Sequence, residues 1–406
     1  MTNIFPTNLI LFDDDNWGHL LPLTLTRPIS EIRVGILTIK EKWQKHLNVT
    51  ASYITQDYLS SKYPIHIEDD NILINSTILP SQTLIKYVKQ LRLNEALVLG
   101  EEMIAARLSN KQLNNLGDSE ETFKTLKKID LENQSSLTID RILRTHYIFQ
   151  LNAQELIKDF ELITKGLISQ EVSKTNNVFG KYPIFLEQGV SMECCNINTN
   201  EGPVYIGAHA IIMEGCNIRG GLSVGERAVI KMGSKIYGAT TIGPHCRVGG
   251  EVNNSVLFGY SNKGHDGFLG NSIIGEWCNL GADTNTSNLK NNYQTVKTWS
   301  YVDQKFTDTG LQFCGIVMGD HSKCGINTMF NTGTTVGVAC NIFGDGFPRT
   351  YIPSFSWGGA AEFVKHTFPK AIETAKAVLD RRSVTLSEED IEILRYVESS
   401  GDVYKK

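Results

Sequence analysis

The sequence lacks several features that mark particular classes of protein. No apolar run in its 406 residues approaches the ~20 residues that a membrane-spanning helix requires. Its first residues show no charged segment followed by an apolar core, so we expect no signal peptide and a cytoplasmic location. Its eight cysteines include no C-x-x-C pair, which predicts neither a zinc site nor a disulfide framework. The net charge of −5 gives no general electrostatic attraction for nucleic acids or anionic membranes.

A six-residue period is the main feature that the sequence does have. Each hexad opens with an aliphatic residue and carries a small residue at its fifth position. Clear examples are residues 224–229, 230–235, 236–241 and 242–247, and the same frame returns at 274–279, 280–285 and across 318–341. This period predicts a parallel β-helix whose aliphatic residues stack inside a thin prism. Four cysteines fall at the fifth position, where we expect compact core residues: Cys216, Cys246, Cys278 and Cys340.

The front of the chain has a different pattern. Short apolar runs at residues 9–12, 72–74 and 96–99 are typical of buried strands, and helical periodicity lies between them at 36–43 and 84–91. Strands that alternate with helices predict an α/β domain with a mainly parallel sheet. The polar segment 110–133 is predicted to be a surface excursion.

The predicted domain boundaries follow from where these patterns change. The polar linker at 173–177 separates the α/β domain from the hexads, and the proline-restricted segment 347–353 is predicted to end the coil array. Two terminal helices are then expected, one over 371–382 and one that follows a capping box at 387–390. The predicted domains are residues 1–180 (α/β), 181–346 (β-helix) and 347–406 (extended segment and helices).

Residues 261–270 read SNKGHDGFLG, and residues 279–288 read NLGADTNTSN. These two stretches resemble the acetyltransferase half of the bifunctional N-acetylglucosamine-1-phosphate uridyltransferase/glucosamine-1-phosphate acetyltransferase family. The resemblance implies a left-handed β-helix, acetyl-CoA as co-substrate, and His265 as the general base that deprotonates the attacking sugar amine. An imidazole titrates near neutral pH and therefore suits this task. The alternative is a solvated surface histidine.

The resemblance also assigns the surrounding residues. It puts Asn279 on the amino sugar, the backbone N–H of Ala282 on the thioester oxyanion, and Asn288 in the acyl-CoA site. Arg247 is the basic residue nearest to the family's sugar-phosphate arginine, although it lies two places away, and a guanidinium there suits a phosphate. Asparagines at β-helix corners also cap turns, so a structural role is the alternative for both asparagines.

The sequence departs from the family pattern at three positions of the sugar site. Asn253 stands where the family has a lysine, Phe268 where it has a tyrosine, and Gln294 where it has a second lysine. Glucosamine 1-phosphate is the substrate that the resemblance implies. Residues 289–316 interrupt the hexads, and we expect this insertion to form a wall of the acceptor pocket.

The N-terminal residues carry a second resemblance. The stretch LFDDDNWG at 11–18 is followed by Thr26-Arg27, by Arg33 and by Lys42. This pattern resembles the divergent, Rossmann-like sugar nucleotidyltransferase domains that are fused to hexapeptide repeats in uridyltransferase-like proteins. The resemblance implies that all four residues bind a nucleotide such as UTP, and that Arg27 and Lys42 neutralise the triphosphate during catalysis.

The metal-binding residues of that family are not evident in this chain. An acidic run at 13–15 replaces the glycine loop and would repel phosphates unless Mg²⁺ intervened, and residues 74–76 (Ile-Asn-Ser) stand where a metal-binding aspartate is usual. Mg²⁺ is therefore expected only if the domain is active, and its ligands stay unknown. The alternative is a degenerate domain that binds sugars or supports assembly.

The sequence as a whole predicts a homotrimeric transferase that couples N-acylation of an amino-sugar 1-phosphate to nucleotidyl transfer. One alternative is a nucleotidyltransferase whose β-helix serves only for trimerisation, and a second is a non-catalytic regulator that binds sugar nucleotides. A third is a carbonic-anhydrase-like metalloenzyme, but the histidines at 209, 245, 265 and 321 show no clear common stack.

Overall fold

The computed structural model describes residues 8–114, 125–132 and 137–400. The chain divides into two compact units. The first comprises Met1–Trp17, Arg27–Ile32 and Leu37–Leu143, and the second comprises Gly18–Thr26, Arg33–Ile36 and Arg144–Lys406. Two short N-terminal segments thus group with the hexad region, so the units are discontinuous in sequence. The predicted continuous domains stay a prediction, and part of the predicted excursion at 110–133 lies outside the described residues.

The first unit is built on one six-stranded sheet with strand order β2-β1-β3-β5-β4-β6. Only β5 runs antiparallel to its neighbours, so the predicted mainly parallel sheet is confirmed. Apolar side chains such as Ile10, Leu73 and Ala106 are buried together on this sheet. The strands are β1 Asn8–Phe12, β2 Ala51–Ile54, β3 Asp70–Asn75, β4 Glu95–Leu99, β5 Glu102–Ser109 and β6 Lys127–Asp130.

Three α-helices accompany the sheet in the part of this unit that the structure describes. They are α1 Ile39–Leu47, α2 Gln82–Gln90 and α3 Asn110–Asn114, and short 3₁₀ helices cover Asp15–Leu20, Leu23–Leu25, Ile29–Glu31 and Asp57–Leu59. Helix α1 begins after Thr38 because the Thr38 hydroxyl accepts from the N–H of Glu41 while the Glu41 carboxylate accepts from the N–H of Thr38. It ends at Asn48, which adopts the left-handed conformation.

The second unit is a parallel β-helix, as predicted. Each coil contributes one short strand to each of three sheets, which we name the first, second and third faces. Equivalent positions of successive coils pair in register, for example Ile212 with Ile230 and Ile230 with Val248 on the third face.

The first face contains Asn177–Phe179, Asn196–Asn198, Asn217–Arg219, Lys235–Tyr237, Glu251–Asn253 and Phe268–Gly270, and Asn285–Thr286 and Met329–Phe330 pair separately beyond them. The second face contains Ile184–Leu186, Val204–Ile206, Leu222–Val224, Thr240–Ile242, Val256–Leu257, Ile273–Ile274, Val317–Met318, Thr335–Val336 and Tyr351–Ile352. The third face contains Ser191–Met192, Ile211–Ile212, Val229–Ile230, Arg247–Val248, Asn262–Lys263, Asn279–Leu280, Lys323–Cys324, Asn341–Ile342, Ser356–Gly358 and Phe363–Lys365.

The inside of the prism is filled by the residues that the hexad frame predicts. Aliphatic residues from all three faces form one continuous buried core, for example Ile206, Ile236 and Val248. The four cysteines at the fifth position are buried in the same core. All eight cysteines are free thiols, and Cys194 alone of them is exposed.

The insertion at 289–316 forms an antiparallel hairpin of strands Lys297–Ser300 and Lys305–Asp308. The Trp299 indole stacks on the Tyr351 ring with centroids 4.3 Å apart. Together with residues after the coil array, the hairpin borders a cavity of about 620 Å³. The insertion therefore lines a pocket, whereas its predicted role in acceptor binding stays a prediction.

The parallel ladder continues beyond residue 346, where the sequence predicted that it would end. Tyr351–Ile352 extends the second face, and Ser356–Gly358 extends the third. Proline fixes φ but leaves the N–H groups of its neighbours available, so this segment still pairs with the preceding coil. Helices α4 Tyr147–Thr164, α5 Phe368–Asp380 and α6 Glu388–Ser400 complete the unit, and the Ser387 hydroxyl caps α6 by accepting from the N–H of Asp390. Within the described residues, every helix is too short or too polar to cross a membrane.

Candidate active site

His265 lies at the corner that connects the third face to the first. The corner comprises residues 264–267, and the His265 side chain is exposed. Gly267 makes this turn possible, because its φ is +113° and a Cβ there would lie 2.2 Å from the carbonyl oxygen of Thr284. The N–H of Asp283 donates to the carbonyl of Asp266 at 3.0 Å, which joins this corner to the next. The predicted base is thus presented to solvent on a tightly held turn.

Three polar side chains stand in register on the outer side of the third face, on consecutive coils. Arg247 pairs with Asn262, and Asn262 pairs with Asn279. We call these three residues the polar ladder. Neighbouring rungs are about 4.8 Å apart, as strand spacing dictates. Arg247 and Asn279 are both exposed. The structure therefore brings two of the predicted substrate-binding residues to the face that leads into the His265 corner.

Ala282 occupies the equivalent corner of the following coil. Its carbonyl accepts from the N–H of Asn327 at 2.8 Å. Its own N–H donates to no acceptor within the part of the chain that the structure describes. A backbone donor that is not already used can accept a developing negative charge, as the predicted oxyanion role requires.

Asn253 and Asn288 lie at the other end of the first-face strands. The N–H of Asn271 donates to the Asn253 carbonyl at 3.0 Å, and the Asn288 amide donates to the Asn271 side chain at 2.8 Å. The Phe268 ring reaches this corner from its strand and lies over Gly270. The predicted site residues therefore form two groups, separated by a three-residue strand of about 10 Å.

Arg382 contacts the polar ladder, and the sequence reasoning did not single it out. It follows helix α5, and its guanidinium donates to the Asn262 amide oxygen at 3.1 Å, which places it on the polar ladder. Burial together with the positive charges of Arg247 and Arg381 lowers the pKa of Arg382. Arginines that approach one another in this way favour a bound anion. No local pattern in the sequence joins Arg382 to the hexads, because the contact spans 120 residues.

An aromatic column flanks the polar ladder at the corner that precedes the third face. The rings of His245 and Tyr260 stack with centroids 4.5 Å apart, and those of Tyr260 and Trp277 with centroids 4.1 Å apart. All three residues have positive φ, which sets their side chains at the same corner of successive coils. Burial lowers the pKa of His245 below its ordinary value, which favours the neutral imidazole.

The four predicted nucleotide-binding residues divide between the two units. Arg27 and Lys42 belong to the first unit, and their side chains are 5% and 1% exposed. Thr26 and Arg33 belong to the second unit: the Thr26 hydroxyl donates to Asp320 at 2.7 Å, and Arg33 Nε donates to the Phe258 carbonyl at 3.2 Å. The Thr26 and Arg33 side chains are therefore hydrogen-bonded to residues of the β-helix.

The first two carboxylates of the acidic run at 13–15 are occupied by internal contacts, whereas Asp15 is exposed. Asp13 accepts from the Thr55 hydroxyl at 2.7 Å and from the N–H of Ile29 at 3.1 Å, and burial raises the pKa of Asp13 to about 7. Asp14 accepts from the Asn75 amide at 2.8 Å. In the described ranges no cluster of three or more metal-binding side chains occurs, so these carboxylates do not fit a Mg²⁺ site on their own.

Residues 9–168 match the family model described as sugar nucleotidyl transferase. The match lies in the front of the chain, and the hexapeptide repeats lie outside it. The match covers the part of the chain that contains β1 to β6 and helix α4.

Particular relatives are the bifunctional protein GlmU of Methanocaldococcus jannaschii and a bifunctional sugar-1-phosphate nucleotidylyltransferase/acetyltransferase of Sulfurisphaera tokodaii. The first is 36% identical over 90 residues, 22% of this chain and 21% of the relative. The second is 34% identical over 156 residues, 36% of this chain and 38% of the relative. The chain thus spans about one to two fifths of the relatives' length. These matches confirm the predicted resemblance to the bifunctional transferases.

Among solved structures, Arabidopsis UDP-N-acetylglucosamine acyltransferase is 14% identical, with 58% of this chain and 91% of that chain covered and a TM-score of 0.22. The polysialic-acid-specific acetyltransferase NeuO is 15% identical, with 48% and 87% covered and a TM-score of 0.24. Likenesses with TM-scores this low carry no functional conclusion.

Proposed function

We propose that this protein is an acyl-CoA-dependent N-acyltransferase that acts on an amino-sugar 1-phosphate, with glucosamine 1-phosphate as the expected acceptor and acetyl-CoA as the expected donor. One observation carries the proposal. An exposed histidine stands on a rigid corner, next to a ladder of exposed polar side chains and to a backbone N–H that has no acceptor among the described residues. Base, acceptor-binding groups and oxyanion donor are the parts that acyl transfer to an amine requires.

In the proposed reaction, His265 accepts the proton that the sugar amine loses as its nitrogen attacks the thioester carbonyl. The new N–C bond forms, and the N–H of Ala282 stabilises the negative charge that develops on the carbonyl oxygen. The C–S bond then breaks, and the CoA thiolate leaves and takes the proton from the His265 imidazolium. Asn279 would orient the sugar beside the base. Its exposed side chain has no hydrogen bond within the described ranges, so it remains available for a ligand.

The sugar phosphate is assigned to Arg247 and Arg382. Both guanidinium groups lie along the polar ladder, and Arg382 already contacts its middle rung. Guanidinium groups bind phosphate oxygens through paired hydrogen bonds. Asn253 and Asn288 lie at the far end of the first-face strands, and the Phe268 ring reaches that end from the start of its strand, so we assign these three residues to the more distant parts of the sugar and the acyl donor.

The acyltransferase proposal is tested by measuring CoA release from acetyl-CoA with glucosamine 1-phosphate as acceptor. N-acetylglucosamine 1-phosphate, whose amine is already blocked, is the matched control. Turnover with the first acceptor and none with the second is the expected result. If no amino-sugar phosphate supports CoA release from acetyl-CoA or from another acyl-CoA, the β-helix is not an acyltransferase. The alternative that it serves only for trimerisation would then be favoured.

A second proposed activity is nucleotidyl transfer by the first unit, which would convert a sugar 1-phosphate and an NTP such as UTP into a nucleotide sugar and pyrophosphate. It is supported by the family match over residues 9–168. Because Arg27 and Lys42 are buried, the nucleotide must reach them through an opening of the surrounding chain. The described carboxylates offer no complete metal site, so no catalytic step is assigned to Mg²⁺.

Pyrophosphate release from NTPs with N-acetylglucosamine 1-phosphate tests this second activity. Release that depends on both substrates supports it. If no nucleotide and sugar 1-phosphate give pyrophosphate while CoA release proceeds normally, the first unit is a degenerate domain.

We also propose a cytoplasmic homotrimer, because a narrow prism buries little surface in each coil and gains by packing against copies of itself. The β-helix exposes apolar side chains that such contacts would cover, including Met232, Ile326 and Phe343. The mass in solution, measured by light scattering over a range of concentrations, decides the question. A fully active monomer at all concentrations would contradict this assembly.

A further inference from the structure

Lys263 breaks the hexad rule inside the prism. On the third face, the inward positions of successive coils are held by Ile212, Ile230, Val248, Lys263 and Leu280. Lys263 is 1% exposed, so a cationic side chain occupies a position that the frame reserves for an aliphatic residue. Burying a cation destabilises the folded state unless the cation is hydrogen-bonded. The contacts that Lys263 makes therefore matter.

The Lys263 ammonium is bound to the corner that carries His265. Its Nζ donates to the carbonyl oxygen of His265 at 3.0 Å and to the carbonyl oxygen of Gly249 at 3.0 Å. The first bond closes a loop from residue 263 back to the corner, and the second ties that corner to the preceding coil. The N–H of Gly249 also donates to the Lys263 carbonyl at 2.7 Å, so the two coils are joined on both sides of the lysine.

The His265 imidazole itself has no such support. Its ring makes no hydrogen bond, ion pair or ring contact with the rest of the described chain. A histidine base is usually oriented by a hydrogen bond to its second ring nitrogen. Within the described chain the backbone of the corner therefore sets the position of the ring, and the Lys263 side chain holds this backbone from inside.

We propose that Lys263 is a positioning residue for the reaction at His265, where it fixes the carbonyl groups of the corner and thereby the place from which the imidazole reaches the acceptor amine. This inference rests on the acyltransferase function proposed above. The structure offers a reason to favour a functional role over a purely structural one: an aliphatic side chain would fill the same position and match its neighbours Val248 and Leu280. Burial lowers the pKa of Lys263 from its ordinary 10.5 to about 8, which shows that the prism disfavours the charge.

The test compares Lys263→Met with Leu280→Met, a matched control that alters the same inward ladder one coil away and leaves the corner hydrogen bonds in place. Misplacement of a catalytic group by about 1 Å can cost ~100-fold in rate. We expect Lys263→Met to lower kcat for CoA release ~10- to 100-fold, while the KM values stay within about 3-fold. Amide hydrogen exchange at Gly249 and Asp283, whose N–H groups donate to the carbonyls of Lys263 and Asp266, should become at least ~10-fold faster when it is followed by mass spectrometry on the full chain. Leu280→Met should change neither quantity.

The possible results distinguish failure of the positioning role from failure of the proposed acyltransferase function. If Lys263→Met keeps the wild-type kcat, the positioning role is wrong, whatever the exchange rates show. If kcat falls but Leu280→Met falls equally, the loss reflects packing and the inference is also overturned. If the wild-type protein acylates no acceptor, the proposed function fails, and the exchange rates alone decide whether Lys263 holds the corner. If Lys263→Met does not fold, the same results are expected of Lys263→Val. Valine is the residue at the equivalent position of the preceding coil, Val248.

Discussion

Replacing Lys263 should change the stability of the β-helix in a way that depends on pH. In the folded protein burial lowers the pKa of Lys263 from 10.5 to about 8, whereas the unfolded chain keeps the ordinary value. Below pH 8 both states bind the proton, and this residue adds no pH dependence. Between about pH 8 and 10.5 only the unfolded state keeps it, so the free energy of unfolding rises with pH. From pH 7 to pH 10 the gain is about 2.5 kcal/mol, because each pKa unit corresponds to about 1.4 kcal/mol.

Lys263→Met removes this contribution and leaves every other titrating group in place. At pH 7 the variant should be at least as stable as the wild-type protein, since apolar replacement of a buried charge is often neutral or stabilising. At pH 10 its advantage should have fallen by about 2.5 kcal/mol. Urea unfolding of both proteins at pH 7, 8.5 and 10 measures the difference. A constant difference across this range would refute the reasoning, because it would mean that Lys263 does not meet a buried environment on folding.

Four further outcomes are expected. His265→Ala should lower kcat for acyl transfer by ~10²- to 10⁴-fold because the general base is lost. Acyl-CoA affinity should stay within a few-fold because the exposed corner does not need to repack. An unchanged kcat would mean that His265 is a surface histidine without a catalytic role. Arg382→Gln should raise the KM for the sugar phosphate about 10-fold, as loss of one charge-assisted contact predicts, without affecting an acceptor that lacks the phosphate. Gly267→Ala should destabilise the fold by about 2 kcal/mol or more because of its φ and the close Thr284 carbonyl, whereas Gly264→Ala, whose Cβ meets open space, should leave the melting temperature unchanged. Arg27→Ala should abolish pyrophosphate release and spare CoA release, and equal loss of both activities would argue against separate sites.

The β-helix was predictable from the sequence because its determinant is local. A coil repeats a short pattern of inward aliphatic residues, and the residues that fill the prism, including Cys246 and Cys278, could be identified from their place in the frame. Lys263 could have been found by the same frame, since it stands where the pattern requires an aliphatic residue. The continuation of the ladder past residue 346 was missed, because the prolines there suggested an end although the neighbouring N–H and carbonyl groups still pair.

The contacts that the sequence could not predict join residues far apart in the chain. Thr26 reaches Asp320, and Arg33 reaches the carbonyl of Phe258, across separations of 294 and 225 residues. Neither contact could be predicted from the sequence periodicity or from the local composition. Both residues were predicted to bind a nucleotide from the resemblance alone, and that role stays a prediction. The same holds for Arg382, which the fold brings to the polar ladder from the segment after α5.

The aromatic column gives the protein its own optical reporter. Trp277 stacks on Tyr260, and Tyr260 stacks on His245, within 4.1 and 4.5 Å. Rings in such close contact couple their electronic transitions, and a protonated imidazole at the end of the column would alter the emission of the indole. Because burial lowers the pKa of His245, acidification below the ordinary range of a histidine should be needed to change this signal. The part of the near-ultraviolet circular dichroism and tryptophan fluorescence that Trp277→Phe removes can therefore report on this column without any attached label.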